Sequence, residues 1–183
     1  DDGLHDKRVA KDISFLVIDG GYGFGNNLVM PAGPLRDRID YATEGTVHII
    51  LIGKDEKKAV ERLQNFTKKK YSVLNAEVKP HIEHIDKQQL YFAFAGIGLP
   101  EKFFNMLQDK LKLAIVEKVE FADHHKYEKE DFEHLTNLAE LQKAKLITTE
   151  KDYIKLSDEL KEITDCIKID LKFKSKKFQE ILS

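Results

Sequence analysis

The sequence holds one cysteine, Cys166, in 183 residues. A lone thiol excludes an internal disulfide and any multi-cysteine zinc site, and such usage fits a reducing compartment. Cys166 itself reads as a buried strand residue. Long apolar runs are also missing: nothing approaches the roughly 20 apolar residues that span a bilayer, and no basic-then-apolar signal segment opens the sequence. The chain is therefore expected to be soluble and cytoplasmic. Neither charge sign is in excess, with 30 Lys and Arg against 32 Asp and Glu and a net charge of -2. That balance gives no global attraction to nucleic acid or anionic lipid, so any anion site must be local. The phosphate-cradling signature G-x-x-x-x-G-K-S/T and the dinucleotide signature G-x-G-x-x-G are both absent. There is no internal repeat.

What is present is an alternation of two periodicities. With 42% hydrophobic and 34% charged residues the chain suits one compact domain over residues 1–183 with a single core. Residues 1–12 are set apart as a frayed cut end, because Asp1-Asp2-Gly3-Leu4-His5-Asp6 is polar and has no strand ahead of it. Buried strands are predicted at residues 13–18, 47–52 and 90–95, and shorter ones at 113–116, 145–148 and 166–169. Helical spacing recurs at 100–111, where Pro100 opens a run with Phe103, Phe104, Leu107 and Leu111 on one face, and at 131–143. A parallel crossover needs a helix-sized connection, so strands alternating with helices imply an α/β fold, a mainly parallel sheet covered on both faces. The lysine runs at 68–70 and 172–177 read as solvated faces, with a basic edge at a membrane surface as the sharper alternative.

Four segments could carry chemistry. Asp19-Gly20-Gly21-Tyr22-Gly23-Phe24-Gly25-Asn26-Asn27 leaves the carboxyl end of the first strand, the edge at which open α/β sheets bind ligands. Its glycines let backbone amides approach an anion, or merely make a tight connection. Met30-Pro31-Ala32-Gly33-Pro34-Leu35-Arg36 follows, and Arg36 offers a planar fork for phosphate or carboxylate. Gly96 and Gly98 precede the helix that Pro100 opens, where free amides make an anion site unless packing alone demands small residues. In Phe121-Ala122-Asp123-His124-His125-Lys126-Tyr127 adjacent histidines point apart, which argues against a shared metal. A histidine beside Asp123 suits proton transfer, or the pair caps a helix. Thr149-Glu150-Lys151-Asp152 has near capping-box spacing, which accounts for Thr149 and Asp152 but leaves Lys151 to face a ligand or water.

Taken in order, Asp1-Asp2-Gly3-Leu4, the glycine loop, Pro31-Ala32-Gly33-Pro34-Leu35-Arg36, Phe94-Ala95-Gly96-Ile97-Gly98 with Pro100, Phe103 and Phe104, Asp123-His124-His125 and Thr149-Glu150-Lys151-Asp152 resemble the C-terminal portion of the tetraacyldisaccharide 4'-kinase family. The resemblance runs over residues 1–169. It implies a P-loop kinase that moves the γ-phosphate of ATP to the 4'-hydroxyl of the lipid A disaccharide precursor, with Mg²⁺, at the cytoplasmic side of the Gram-negative inner membrane. By position Asp1 and Asp2 match an acidic pair that helps hold the metal. His124, with Asp123 before it, matches the histidine of the family's catalytic Asp-His dyad, whose partner aspartate the resemblance places in the N-terminal half. Gly23, Gly25, Asn26, Arg36, Gly96, Gly98, Glu150, Lys151 and Asp152 fall at substrate- or phosphate-binding motifs. The half that cradles ATP is expected in a separate or upstream P-loop portion, so this chain alone is expected to be inactive. Tyr22 stands where the family commonly has arginine, which leaves that arginine's charge role without a bearer. An inactive remnant and a stand-alone phosphosugar- or nucleotide-binding module are the other readings.

Overall fold

A computed structural model describes residues 8, 10–39, 45 and 47–182. Its elements run β1 (Ser14–Asp19), β2 (Val47–Ile52), α1 (Ala59–Thr67), β3 (Ser72–His81), β4 (Leu90–Ala95), α2 (Pro100–Asn105), a π-helical turn (Met106–Lys110), β5 (Ala114–Glu120), α3 (Lys129–Leu141), β6 (Lys145–Thr149), α4 (Glu150–Tyr153), α5 (Asp158–Ile163), β7 (Thr164–Phe173) and α6 (Lys177–Leu182). The chain divides into two compact units, residues 1–79 with 170–183, and residues 80–169. One core was expected for residues 1–183; the buried side chains instead gather in clusters that each belong to a single unit.

In the first unit β1, β2 and β3 pair in parallel, Ser14 opposite Val47 and His48 opposite Ser72. Alternate residues of a strand face opposite ways, and both faces of β2 are used. Ile49 and Leu51 pack with Ala59 and Leu63 of α1, while Ile50 packs with Leu74 and Ala76 of β3. Phe173 and Phe178 stack at 4.2 Å beside that second cluster. From the basic run, Lys174 donates its backbone amide to Asn75 and pairs with Glu77 at 2.7 Å.

The second unit is the order β7-β6-β4-β5, every pairing parallel, with Tyr91 opposite Lys145 and Leu146 opposite Thr164. Five of the six residues of β4 are buried. Tyr91, Ala93 and Ala95 face Phe103, Phe104 and Leu107, whereas Phe92 and Phe94 face Leu135 and Ala139 of α3 and Leu156 and Leu160 near α5. A strand covered on both faces reads as a continuous apolar run, which is how Leu90-Tyr91-Phe92-Ala93-Phe94-Ala95 reads. Each fully buried large side chain contributes about 1.5–3 kcal/mol by leaving water.

Departures from the sequence reading have local causes. β3 was not expected: only Leu74 and Ala76 are buried in it, and Glu77, Lys79 and Pro80 break its apolar pattern. β5 and β7 continue past their expected ends through residues that are largely exposed. The helix opened by Pro100 widens after Asn105 into a π turn, in which the Leu111 amide reaches the Met106 carbonyl at 2.9 Å. α3 starts two residues earlier than expected because Glu128 and Asp131 close a capping box. Cys166 is a buried strand residue of β7, and burial first, then the charge of Glu150, pushes its thiol up to about 11.

Candidate functional site

Because the strands of each unit run parallel, the loops after them leave one edge of that unit. In the first unit this edge carries the glycine loop. The Asp19 carboxylate accepts the amides of Gly21 and Tyr22 at 3.0 Å each, which folds the loop back on its own strand. Gly20 lies against the loop after β2, where a Cβ would stand 2.2 Å from the Lys54 carbonyl oxygen, and its own carbonyl accepts the Glu56 amide at 3.0 Å. Gly23 and Gly25 take positive φ of 63° and 57°, and a Cβ on Gly25 would meet Pro34 at 2.7 Å. Asn26 donates to the Ala32 carbonyl at 2.8 Å and accepts the Leu28 amide at 3.1 Å, stapling the proline segment to the loop. Packing therefore already accounts for Gly20, Gly25 and Asn26. Arg36 is exposed and already has a partner in the structure.

In the second unit three loops meet, those after β4, β5 and β6. Asp152 joins them. Its side chain is 0% exposed, and it accepts the Gly96 amide at 3.0 Å, the Thr149 hydroxyl at 2.7 Å and the Lys155 ammonium at 3.0 Å. Burial opposes ionisation, but the three donors outweigh it and hold the carboxyl below its usual range. The expected ligand contact at Asp152 is thus a buried internal tie, since every lone pair it offers points into protein. The Gly96 amide is likewise spent on Asp152 and is not open to an anion. The capping relation is real but altered: Thr149 accepts the Asp152 amide at 3.2 Å, while the reciprocal bond runs from its hydroxyl to the carboxylate. Gly98, Glu150 and Lys151 are exposed at this edge.

The loop after β5 separates its two histidines. His124 takes a positive φ of 60°, and its side chain is 87% exposed, 4.0 Å from Asp123. His125 turns inward, stacks on Phe121 at 4.7 Å and reaches Asp131 at 2.8 Å. The close His–Asp pair expected of Asp123 is therefore made by His125 with Asp131. Consecutive side chains cannot share one direction, and the left-handed turn at His124 decides which ring goes in. Tyr127 completes the wall, edge-on to Phe94, Phe121 and His125. Its hydroxyl is buried without a hydrogen bond of good geometry, and burial, then the neighbouring Asp152 charge, pushes the phenol up. Tyr127, Asp131 and Lys155 were not singled out from sequence; the only signal was Asp131 three residues after Glu128.

Asp131 both accepts the Glu128 amide at 2.9 Å and holds His125. The Glu128 hydrogen bond, then His125, lowers its carboxyl from the ordinary value. Asp131→Ala should cost about 1 kcal/mol, the usual worth of such a cap. A lowered folded-state value means that the contribution is complete above the unfolded value, about 4, and is lost as pH falls through the folded one. The deficit of Asp131→Ala relative to the parent, followed by urea unfolding, should therefore be full at neutral pH and shrink below about pH 4.

A parallel α/β unit with its polar loops gathered at the carboxyl edge is the architecture of a ligand-binding α/β protein. The family model described as tetraacyldisaccharide-1-P 4'-kinase matches residues 1–183. The chain belongs to that family. The tetraacyldisaccharide 4'-kinase of Paramagnetospirillum magneticum is 39% identical over 162 residues, 88% of this chain and 49% of that protein. The one from Rhodospirillum rubrum is 36% identical over 174 residues, 94% and 52%. The chain spans about half the length of the curated relatives it matches. A crystal structure of the "apo" form of LpxK from Aquifex aeolicus in complex with ATP matches with a TM-score of 0.65 at 19% identity, covering 99% of this chain and 54% of that one, a likeness of fold.

Asp1 and Asp2, the expected metal ligands, lie outside the described residues. Among the described residues no group of three or more His, Cys, Asp or Glu is placed to hold a metal ion, and no helix is long and apolar enough to cross a membrane.

Proposed function

We propose that this chain takes part in ATP-dependent phosphorylation of the 4'-hydroxyl of the tetraacyldisaccharide-1-phosphate lipid A precursor, at the cytoplasmic side of the inner membrane. The observation that carries the reading is the match of the family model to the whole chain. The exposed Asp123–His124 loop at the carboxyl edge supports it, because a solvent-facing imidazole is free to reach an acceptor hydroxyl.

In this reading His124 accepts the proton of the 4'-hydroxyl as that oxygen bonds to the γ-phosphorus and the bond to the bridging oxygen breaks, releasing ADP. ATP would supply the phosphoryl group, and Mg²⁺, with Asp1 and Asp2 as its proposed ligands in this chain, would neutralise charge on the phosphate oxygens. Exposed Lys151 offers a cationic contact for a phosphorylated ligand. Lacking the P-loop signature, these 183 residues depend on a phosphate-cradling portion of the longer kinase or on a separately encoded half.

The test is transfer of labelled phosphate from ATP to the disaccharide-1-phosphate, with Mg²⁺. This chain alone should give none, and the chain joined to the P-loop half of the Rhodospirillum relative should restore transfer. A folded, joined protein that stays inactive would identify a catalytically dead remnant. Transfer by the 183 residues alone would place ATP binding within them and overturn the division of labour.

A further inference from the structure

A buried carboxylate persists only when its oxygens are hydrogen-bonded, and Asp152 combines two local bonds with one to a distant piece of chain. The Gly96 amide belongs to the turn after β4, the Thr149 hydroxyl to the end of β6, and the Lys155 ammonium to the segment after α4. Tyr127, whose hydroxyl lies beside the carboxylate, ends the loop that bears Asp123 and His124. Lys155 also sits 5.9 Å from the centre of the Tyr127 ring. A helix cap alone would need none of this: in an ordinary capping box the third residue returns to the amide of the cap itself. Asp152 reaches instead to an amide 56 positions away.

The geometry points to Asp152 as a positioning residue that bonds the turn after β4 to the start of α4 and packs against Tyr127 of the loop after β5, and so sets where Asp123 and His124 stand. It touches no ligand, being 0% exposed, and acts through Gly96 and Tyr127. The consequence for catalysis rests on the phosphoryl-transfer reading given above, whereas the lock itself does not.

Asp152→Asn preserves shape but puts an amide donor where an oxygen accepted, so a donor faces either Lys155 or the Gly96 and Thr149 pair. Two readouts test it. In this chain, amide hydrogen exchange resolved by residue should quicken by about tenfold or more at Gly96 and across residues 121–127, with α1 and β2 unchanged. In the joined kinase, kcat should fall about tenfold or more with KM for the acceptor within about twofold. Lys155→Ala, which leaves the Gly96 and Thr149 bonds in place, should shift both readouts the same way by less, and serves if Asp152→Asn does not fold. Unchanged exchange at Gly96 and 121–127, or equal acceleration throughout the chain, would overturn the lock. Altered exchange with undiminished kcat would overturn the positioning role. Altered exchange in a kinase whose parent form transfers no phosphate would uphold the lock and count against the kinase reading alone.

Discussion

His124→Ala in the joined kinase should lower kcat by about 10²–10⁴-fold, the usual contribution of a positioned general base, while leaving stability within about 0.5 kcal/mol. The separation of the two effects follows from the position of the ring. At 87% exposure the imidazole contributes almost no packing, and the Asp123 carboxylate is 4.0 Å away and 55% exposed, a geometry worth little as an ion pair. The backbone at His124 is left-handed, so His124→Asn is the better control, since Asn tolerates that conformation and cannot act as a base near neutral pH. Both variants should lose turnover equally. His125→Ala is the contrasting case: it gives up the Phe121 stack and the Asp131 partner, and should lose stability first. Phosphate transfer at saturating acceptor, alongside a thermal melt, checks all three. Turnover above about a tenth of the parent in His124→Ala would assign the proton to another group.

How far the site could be read in advance depended on the range of the contacts that make it. β4 was legible because both faces are buried and the whole run is apolar, whereas β3 was not, because its solvent side is charged. The three loops of the second unit could be placed at one edge from strand-helix alternation alone, since parallel strands leave no other choice. The roles within them could not. Thr149 and Asp152 announce a helix cap at a spacing of three, yet the bond that matters joins Asp152 to Gly96 across 56 positions. His124 and His125 are equivalent in sequence, and one left-handed residue decides that the second packs and the first faces solvent. In the glycine loop, Gly25 and Asn26 looked like ligand-binding choices, but the close approach of Pro34 and the bonds to Ala32 and Leu28 are demands of the chain on itself.

Gly96→Ala should destabilise the chain by about 1–3 kcal/mol and cut transfer in the joined kinase by about 10²-fold, although its φ lies outside the left-handed region. The obstacle is space. A Cβ there would stand 3.2 Å from the Ala122 carbonyl oxygen, 3.2 Å from Asp152 Oδ1 and 3.2 Å from the Tyr127 hydroxyl. None yields easily: Asp152 is held by three donors, Tyr127 sits among aromatic rings, and the Ala122 carbonyl already accepts the His125 amide at 3.0 Å. Ala122 is the softest of the three, being exposed main chain, and it immediately precedes Asp123 and His124. Relief of the overlap therefore moves the pair proposed to handle the proton. Gly98 supplies the internal comparison, because a Cβ there meets Asp123 Oδ2 at an ordinary 3.4 Å. Gly98→Ala should stay within about 0.5 kcal/mol of the parent. If the two variants melt alike, close packing at Gly96 is not what sets the loop, and the burden of positioning falls on Asp152 and the His125–Asp131 pair.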